Sequence, residues 1–266
     1  MHTDVNALFA ALWQDYINMT PSAAKIQQLL GQGKPIINDH IALRTFNIEK
    51  VNLAVLAAHF ESIGYVASGD YHFEQKKLVA KHFEHPEPHQ PKVFISELLV
   101  EEFSPEVQSI IHGLVDQVDV AATTADNFLY SGCHWRVDIA TYKTLLAESE
   151  YAAWVAAIGY RANHFTVSIN ELPDFETIES VNETLKAAGF TLNSAGGEVK
   201  GSAEVLLEQS STMADRMAVS FADGELEIPT CFYEFARRYP MADGNLYTGF
   251  VAASADKIFE STNAGK

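Results

Sequence analysis

Two histidines and one glutamate carry the chemistry this sequence suggests. His40 stands in the run Asn38-Asp39-His40-Ile41-Ala42-Leu43-Arg44-Thr45-Phe46, and His164 in Asn163-His164-Phe165-Thr166-Val167-Ser168-Ile169-Asn170. Both runs are short and apolar and read as strands. A lone histidine on such a strand is more often a hydrogen-bonded core residue than a ligand. Here, however, the two occupy matching places in a repeated pattern, so units packed about a pseudo-twofold axis would aim both imidazoles into one cavity. Glu234, on a later strand of the second unit, can complete the set. Two imidazoles and a carboxylate leave coordination positions open, as in non-haem Fe(II) oxygenases, whereas a structural zinc is closed by four ligands that usually include thiolates. Arg44 lies four residues beyond His40, an even offset that puts both on one face of the strand. A buried arginine needs a counter-charge, which is either a nearby Asp or Glu or a substrate carboxylate held by the guanidinium fork.

The elements that position these residues form an α+β pattern. Residues 1–34 read as a helical pair, with Leu8, Leu12 and Tyr16 on one face, Thr20-Pro21 starting the second helix, and a stop near Gly31 to Gly33. The first repeat spans 35–102: a strand through His40, a helix from Glu49 to Ile63 stopped by Gly64, and closing strands that end in Lys92–Leu98 with Glu97. The second spans 161–240: a strand through His164, a helix from Asp174 to Ala188 stopped by Gly189, and a closing strand from Thr230 with Glu234. Each is βαβββ-like, and Glu97 is taken as the counterpart of Glu234. Between them, 103–160 reads as a helical insertion, with Val107, Ile110, Ile111, Leu114 and Val115 at helical spacing and a second run from Thr141 to Ile158. Residues 241–266 form a closing segment, so that 1–266 makes a single domain.

Composition narrows the partners. The 266 residues carry 18 Lys+Arg against 35 Asp+Glu, a formal net charge of −17, and 47% are hydrophobic. That field repels phosphate backbones and anionic lipid, so neither nucleic acid nor membrane is expected. Met1 to Met19 lacks the Lys or Arg that would begin a signal peptide, and the cytoplasm is the expected compartment. Cys133 and Cys231 form no C-x-x-C pair. His82, His85 and His89 have ligand-like spacing but read as part of a Pro-rich loop, a poor frame for a catalytic metal. Gly196-Gly197-Glu198-Val199-Lys200-Gly201-Ser202 lacks the ending of a phosphate loop, and Cys133-His134 are adjacent strand residues that face opposite ways.

The strand around His40, the Asn163-His164-Phe165 run, Phe232-Tyr233-Glu234-Phe235-Ala236 and the stretch Gly249 to Phe259 together resemble the 2-oxoadipate dioxygenase/decarboxylase family, long a domain of unknown function, over nearly the whole chain. The resemblance implies a vicinal oxygen chelate-like half-barrel, with His40, His164 and Glu234 as the Fe(II) ligands and Arg44 as the substrate-binding arginine. A Val-Ser pair of the family's pocket aligns with Ala253 and Ser254, in what looks like a shorter branch. The implied reaction takes a dicarboxylic 2-oxo acid, 2-oxoadipate, with O2 to 2-hydroxyglutarate and CO2, as in lysine catabolism. The substrate would chelate iron through its C1 carboxylate and C2 carbonyl while Arg44 holds the distal carboxylate. Two alternatives share the scaffold: a glyoxalase-type, redox-neutral lyase or isomerase with Glu97 as a fourth ligand, and a metal-free binding module without turnover.

Overall fold

The computed structural model describes residues 1–263. Asp4 caps α1 (Val5–Met19) by accepting from Ala7 N, and Val5, Leu8, Leu12 and Tyr16 form its buried face. Thr20 and Pro21 start α2 (Pro21–Gly31), which Gln32 ends in the left-handed conformation. The first repeat then runs β1 (Asn38–Phe46), α3 (Leu53–Glu61), β2 (Val66–Phe73), β3 (Leu78–Glu84) and β4 (Lys92–Leu98). The insertion contributes α4 (Pro105–Asp116), α5 (Ile139–Glu148) and α6 (Glu150–Ile158). The second repeat contains β5 (Ala162–Ser168), α7 (Ile178–Ala187), β6 (Lys200–Ser202), β7 (Leu207–Ser211), a hairpin of β8 (Arg216–Phe221) and β9 (Gly224–Pro229), and β10 (Phe232–Arg238). A last helix, α8 (Ala252–Ile258), follows.

One eight-stranded sheet, ordered β2-β3-β4-β1-β5-β10-β7-β6, holds both repeats. Its symmetry is visible in that order. β1 and β5 pair antiparallel at the centre, and each is flanked by the closing strand of its own repeat in parallel, β4 beside β1 and β10 beside β5. This is the paired half-barrel the repeat implies, with the two histidine strands side by side on the pseudo-twofold axis. β8 and β9 have no counterpart in the first repeat: they form a separate two-stranded sheet inserted between β7 and β10. No described helix is long and apolar enough to cross a membrane.

Three boundaries differ from the sequence reading, each for a local reason. α3 begins only after Asn52, whose side chain accepts from Val55 N. α7 begins after Thr177, which accepts from Ser180 N, and so starts later than Asp174. The expected long helix through 141–158 is two helices, because Ser149 is extended and its hydroxyl caps α6 at Ala152 N. The Pro-rich stretch is also not wholly a loop: His82, Phe83 and Glu84 belong to β3, where His82 and Phe83 pair across to β4 and Glu84 to β2.

Candidate metal centre

Sheet register brings the expected triad together. His40 on β1, His164 on β5 and Glu234 on β10 are all buried, and one potential ligand atom from each lies within 4.8 Å of the others. His40 Nε2 is 3.5 Å from Glu234 Oε1, and His164 Nε2 is 3.2 Å from Glu234 Oε2. The two rings meet nearly edge-on, with centroids 5.6 Å apart.

The tautomers follow from the residues just before each histidine. Asp39 Oδ1 lies 2.8 Å from His40 Nδ1 and can only accept, so the ring proton sits on Nδ1. Asn163 Oδ1, 3.0 Å from His164 Nδ1, does the same in the second repeat. Both Nε2 lone pairs therefore lie beside the carboxylate of Glu234, and that of His40 also accepts from the Thr166 hydroxyl at 3.1 Å. Gln209, on β7, donates to Glu234 Oε1 at 2.6 Å, while Oε2 is buried without a hydrogen bond. Acceptors converging on one point with so little hydrogen between them fit a cation there. The electrostatics agree. Burial pushes the His164 pKa well down, with the charges of His40 and Arg44 acting in the same direction, so it stands as the neutral imidazole a metal needs. Burial raises Glu234, an effect that His40 and Gln209 only partly offset, which marks a carboxylate short of positive company.

An arginine that sequence reasoning did not single out supports this site. Arg238, at the end of β10, grips Asp39 with both prongs, Nε to Oδ2 at 2.7 Å and Nη2 to Oδ1 at 2.9 Å. Burial opposes the charge on Asp39, but Arg238 and the His40 hydrogen bond outweigh it and hold the carboxyl well below the usual carboxylate range. The signal was available in Asp39-His40 and Asn163-His164, an acceptor preceding the histidine in both repeats. The arginine partner, 199 positions away, was not.

Arg44 faces the same pocket, as its even offset predicts. It is only 3% exposed and forms no ion pair with a described carboxylate. Its guanidinium sits 5.1 Å from the ring of Tyr151, 5.0 Å from Trp154 and 5.4 Å from Phe259. Nη2 donates to Thr262 Oγ1 at 3.2 Å, and Nε has no partner. No carboxylate is thus in direct contact with it, although the charge of Glu150, across the outer cleft, acts on it and favours its protonated form. On its outer side Arg44 borders a second cleft of about 210 Å³ that also reaches Lys76, Glu150 and Phe259.

Other expected residues fall elsewhere. Ala253 is exposed and Ser254 is buried beside Gly201, so neither lines the pocket, whose C-terminal wall is Phe250, Ala255, Ile258 and Phe259. The cause is helical phase: α8 turns 255, 258 and 259 inward together. Glu97 is not the counterpart of Glu234. Glu234 pairs with Thr166, two residues past His164, and the residue paired two past His40, at Ala42, is Phe94. Glu97 lies three further on, hence on the opposite face, where its Oε2 accepts from Leu53 N at the start of α3. His82 is buried, bonded to Tyr71 OH at 2.8 Å and Glu84 at 2.9 Å; His85 binds the Ile63 carbonyl; His89 is exposed. None joins the triad.

Residues 3–245 match the family described as 2-oxoadipate dioxygenase/decarboxylase. A rice relative (Oryza sativa subsp. japonica) named 2-oxoadipate dioxygenase/decarboxylase, chloroplastic/amyloplastic, is 38% identical over 275 residues, covering 93% of this chain and 76% of its own. Among solved structures, one of hydroxyglutarate synthase from Oryza sativa in complex with 2-oxoadipate superposes with a TM-score of 0.91 at 35% identity, covering 97% of this chain and 92% of that one. A protein from Shewanella frigidimarina, provisionally named a hydrolase, superposes with a TM-score of 0.93 at 83% identity, covering 95% and 100%.

Proposed function

The chain belongs to the 2-oxoadipate dioxygenase/decarboxylase family, and from that premise we propose that it binds Fe(II) through His40, His164 and Glu234 and converts 2-oxoadipate and O2 into 2-hydroxyglutarate and CO2. The six carbons of the substrate leave as five plus one, and both oxygen atoms of O2 are retained in the products. The observation that carries the reading is the meeting, in one buried pocket, of three convergent metal-ligand atoms with an arginine that makes no direct ion pair and has an idle Nε. Bound iron supplies dioxygen activation and a Lewis-acid anchor for the 2-oxo carboxylate.

The protein's own residues do the rest. Asp39 and Asn163 hold each imidazole with its proton on Nδ1, so Nε2 is the metal-donor atom, which in His40 has to exchange its hydrogen bond from the Thr166 hydroxyl for the metal. Gln209 fixes the rotation of the Glu234 carboxylate. Arg44 receives the distal carboxylate of a dicarboxylic acid, its fork already set in plane by Tyr151, Trp154 and Phe259. Phe94 and Phe250, with ring centroids 5.1 Å apart, form an apolar wall that keeps bulk water from the reacting end. A glyoxalase-type site with four protein ligands lacks support, since Glu97 serves α3 and Phe94 stands where that ligand belongs.

Anaerobic loading with Fe(II), followed by oxygen-uptake and CO2 measurement over a panel of 2-oxo acids, tests the proposal. The expected result is metal-dependent uptake with 2-oxoadipate and one CO2 released per O2 consumed. Turnover without oxygen consumption would replace it with a lyase, isomerase or hydrolase, and tight ligand binding without turnover would leave a binding module.

A further inference from the structure

The pocket around the triad encloses about 30 Å³, room for roughly two water molecules and too little for a six-carbon diacid. A wall must therefore yield to admit one. Every lining residue except four belongs to the central sheet, whose ladder bonds hold it. The four, Phe250, Ala255, Ile258 and Phe259, come from the segment after β10. Arg238 joins that segment to the metal ligands. Its Nε and Nη2 hold both oxygens of Asp39, and the same Asp39 Oδ1 accepts from His40. Its Nη1 donates to the carbonyls of Tyr247, at 2.9 Å, and Gly249, at 2.7 Å. The guanidinium also lies over the Phe250 ring at 5.1 Å, and that ring meets the His40 imidazole edge-on at 4.7 Å. One planar group thus spans the C-terminal wall of the pocket and the residue that orients a ligand.

We propose that Arg238 is a positioning residue coupling the seating of the C-terminal segment over the pocket to the orientation of His40, and so to metal affinity. The inference rests on the reading of His40, His164 and Glu234 as a metal site. When the segment is seated, the carbonyls of Tyr247 and Gly249 fix the guanidinium plane, and the fork holds Asp39 square to the His40 Nδ1 proton. When the segment lifts, Nη1 loses both acceptors, the plane is freed, and Asp39 holds His40 less firmly. The coupling is reciprocal by necessity: a metal that demands a fixed His40 also favours the seated segment. A lysine cannot replace it, because a single ammonium cannot reach two carboxylate oxygens and two carbonyls at once.

The test is Co(II) titration of the metal-free wild type and Arg238→Lys, with hydrogen exchange of residues 241–262 followed by mass spectrometry, with and without Co(II). In the wild type, Co(II) should slow exchange in that segment. In Arg238→Lys, Co(II) affinity should fall tenfold or more, in the range that partners of metal-ligating histidines command. The metal-induced slowing in 241–262 should vanish while that in β1 and β5 persists. Unchanged affinity, or weaker affinity with the slowing retained, would overturn the coupling and leave the metal site standing. A wild type that binds no Co(II) would remove the metal site, and the coupling with it. Should Arg238→Lys fail to fold, Asp39→Asn keeps an acceptor for His40 but loses the ion pair, and the same loss of transmitted slowing is expected of it.

Discussion

Replacing Arg44 separates a substrate-binding arginine from a merely structural one. The side chain is almost wholly buried among three aromatic rings, with no carboxylate partner and an idle Nε. In the free enzyme it makes no direct ion pair, only the longer-range attraction of Glu150, so the structural cost of Arg44→Ala is lost packing on the rings and the lost bond to Thr262. In the substrate complex it removes the partner of a buried carboxylate, a change that typically costs about 2–5 kcal/mol. At about 1.36 kcal/mol per decade, kcat/KM for 2-oxoadipate should fall roughly 30-fold to several thousand-fold. Arg44→Lys keeps the charge but not the planar fork and should lie between wild type and alanine. The assay is steady-state oxygen uptake with 2-oxoadipate and with 2-oxohexanoate, which shares the chelating end and chain length but lacks the distal carboxylate. The monocarboxylate should lose less than about threefold, and thermal melts of each variant should show that the comparison is made on folded protein. Equal losses on both substrates would refute the reasoning, because a group that only supports the pocket cannot tell which substrate is in it.

Three further substitutions bear on the ligand set. His40→Ala or His164→Ala should abolish turnover and leave the circular dichroism spectrum near that of the wild type, since each removes one of the acceptors crowded around Glu234 without breaking a strand; loss of folding in every such variant would instead mark the histidines as structural. Glu97→Gln should keep metal affinity within about tenfold, because its carboxylate touches the α3 amide at Leu53 and not the pocket, and complete metal loss in that variant would reinstate the four-ligand alternative.

What the sequence made legible was whatever depended on repetition and parity. His40 and His164 recur in place along two like units, and strands paired by a twofold axis must bring them together; Glu234 was read from the closing strand of the second unit, and Arg44 followed from its even offset. What it hid depended on register and on contacts between distant segments. Glu97 looked like the partner of Glu234 because each is the lone glutamate of a closing strand, but only the pairing of β4 with β1 reveals that Phe94 is the equivalent residue. Ala253 and Ser254 were carried over by alignment, yet the phase of α8 aims its neighbours inward. The β8–β9 hairpin breaks the repeat, and nothing in the first unit announces it. Arg238 lies at the far end of the second unit from Asp39, joined to it only through the folded sheet.

The departure from symmetry at Phe94 is itself functional under this reading. A scaffold with two equivalent halves would naturally offer a metal two histidines and two carboxylates, which in a six-coordinate ion leaves two positions, enough for a chelating 2-oxo acid and nothing else. This chain keeps the carboxylate in one half and puts a phenyl ring in the other, so an ion held here would have one protein ligand fewer and would keep room for O2 beside a chelating substrate. The ring also does what a carboxylate could not. Packed against Phe250, Tyr71 and Phe73, it turns that side of the pocket apolar. Glu97 cannot restore the fourth ligand, because recruiting it would require slipping β4 by an odd number of residues against β1. That slip would turn Val93 and Ile95 away from the core they now fill and into the pocket, and keeping them in the core holds the register and therefore the open coordination face.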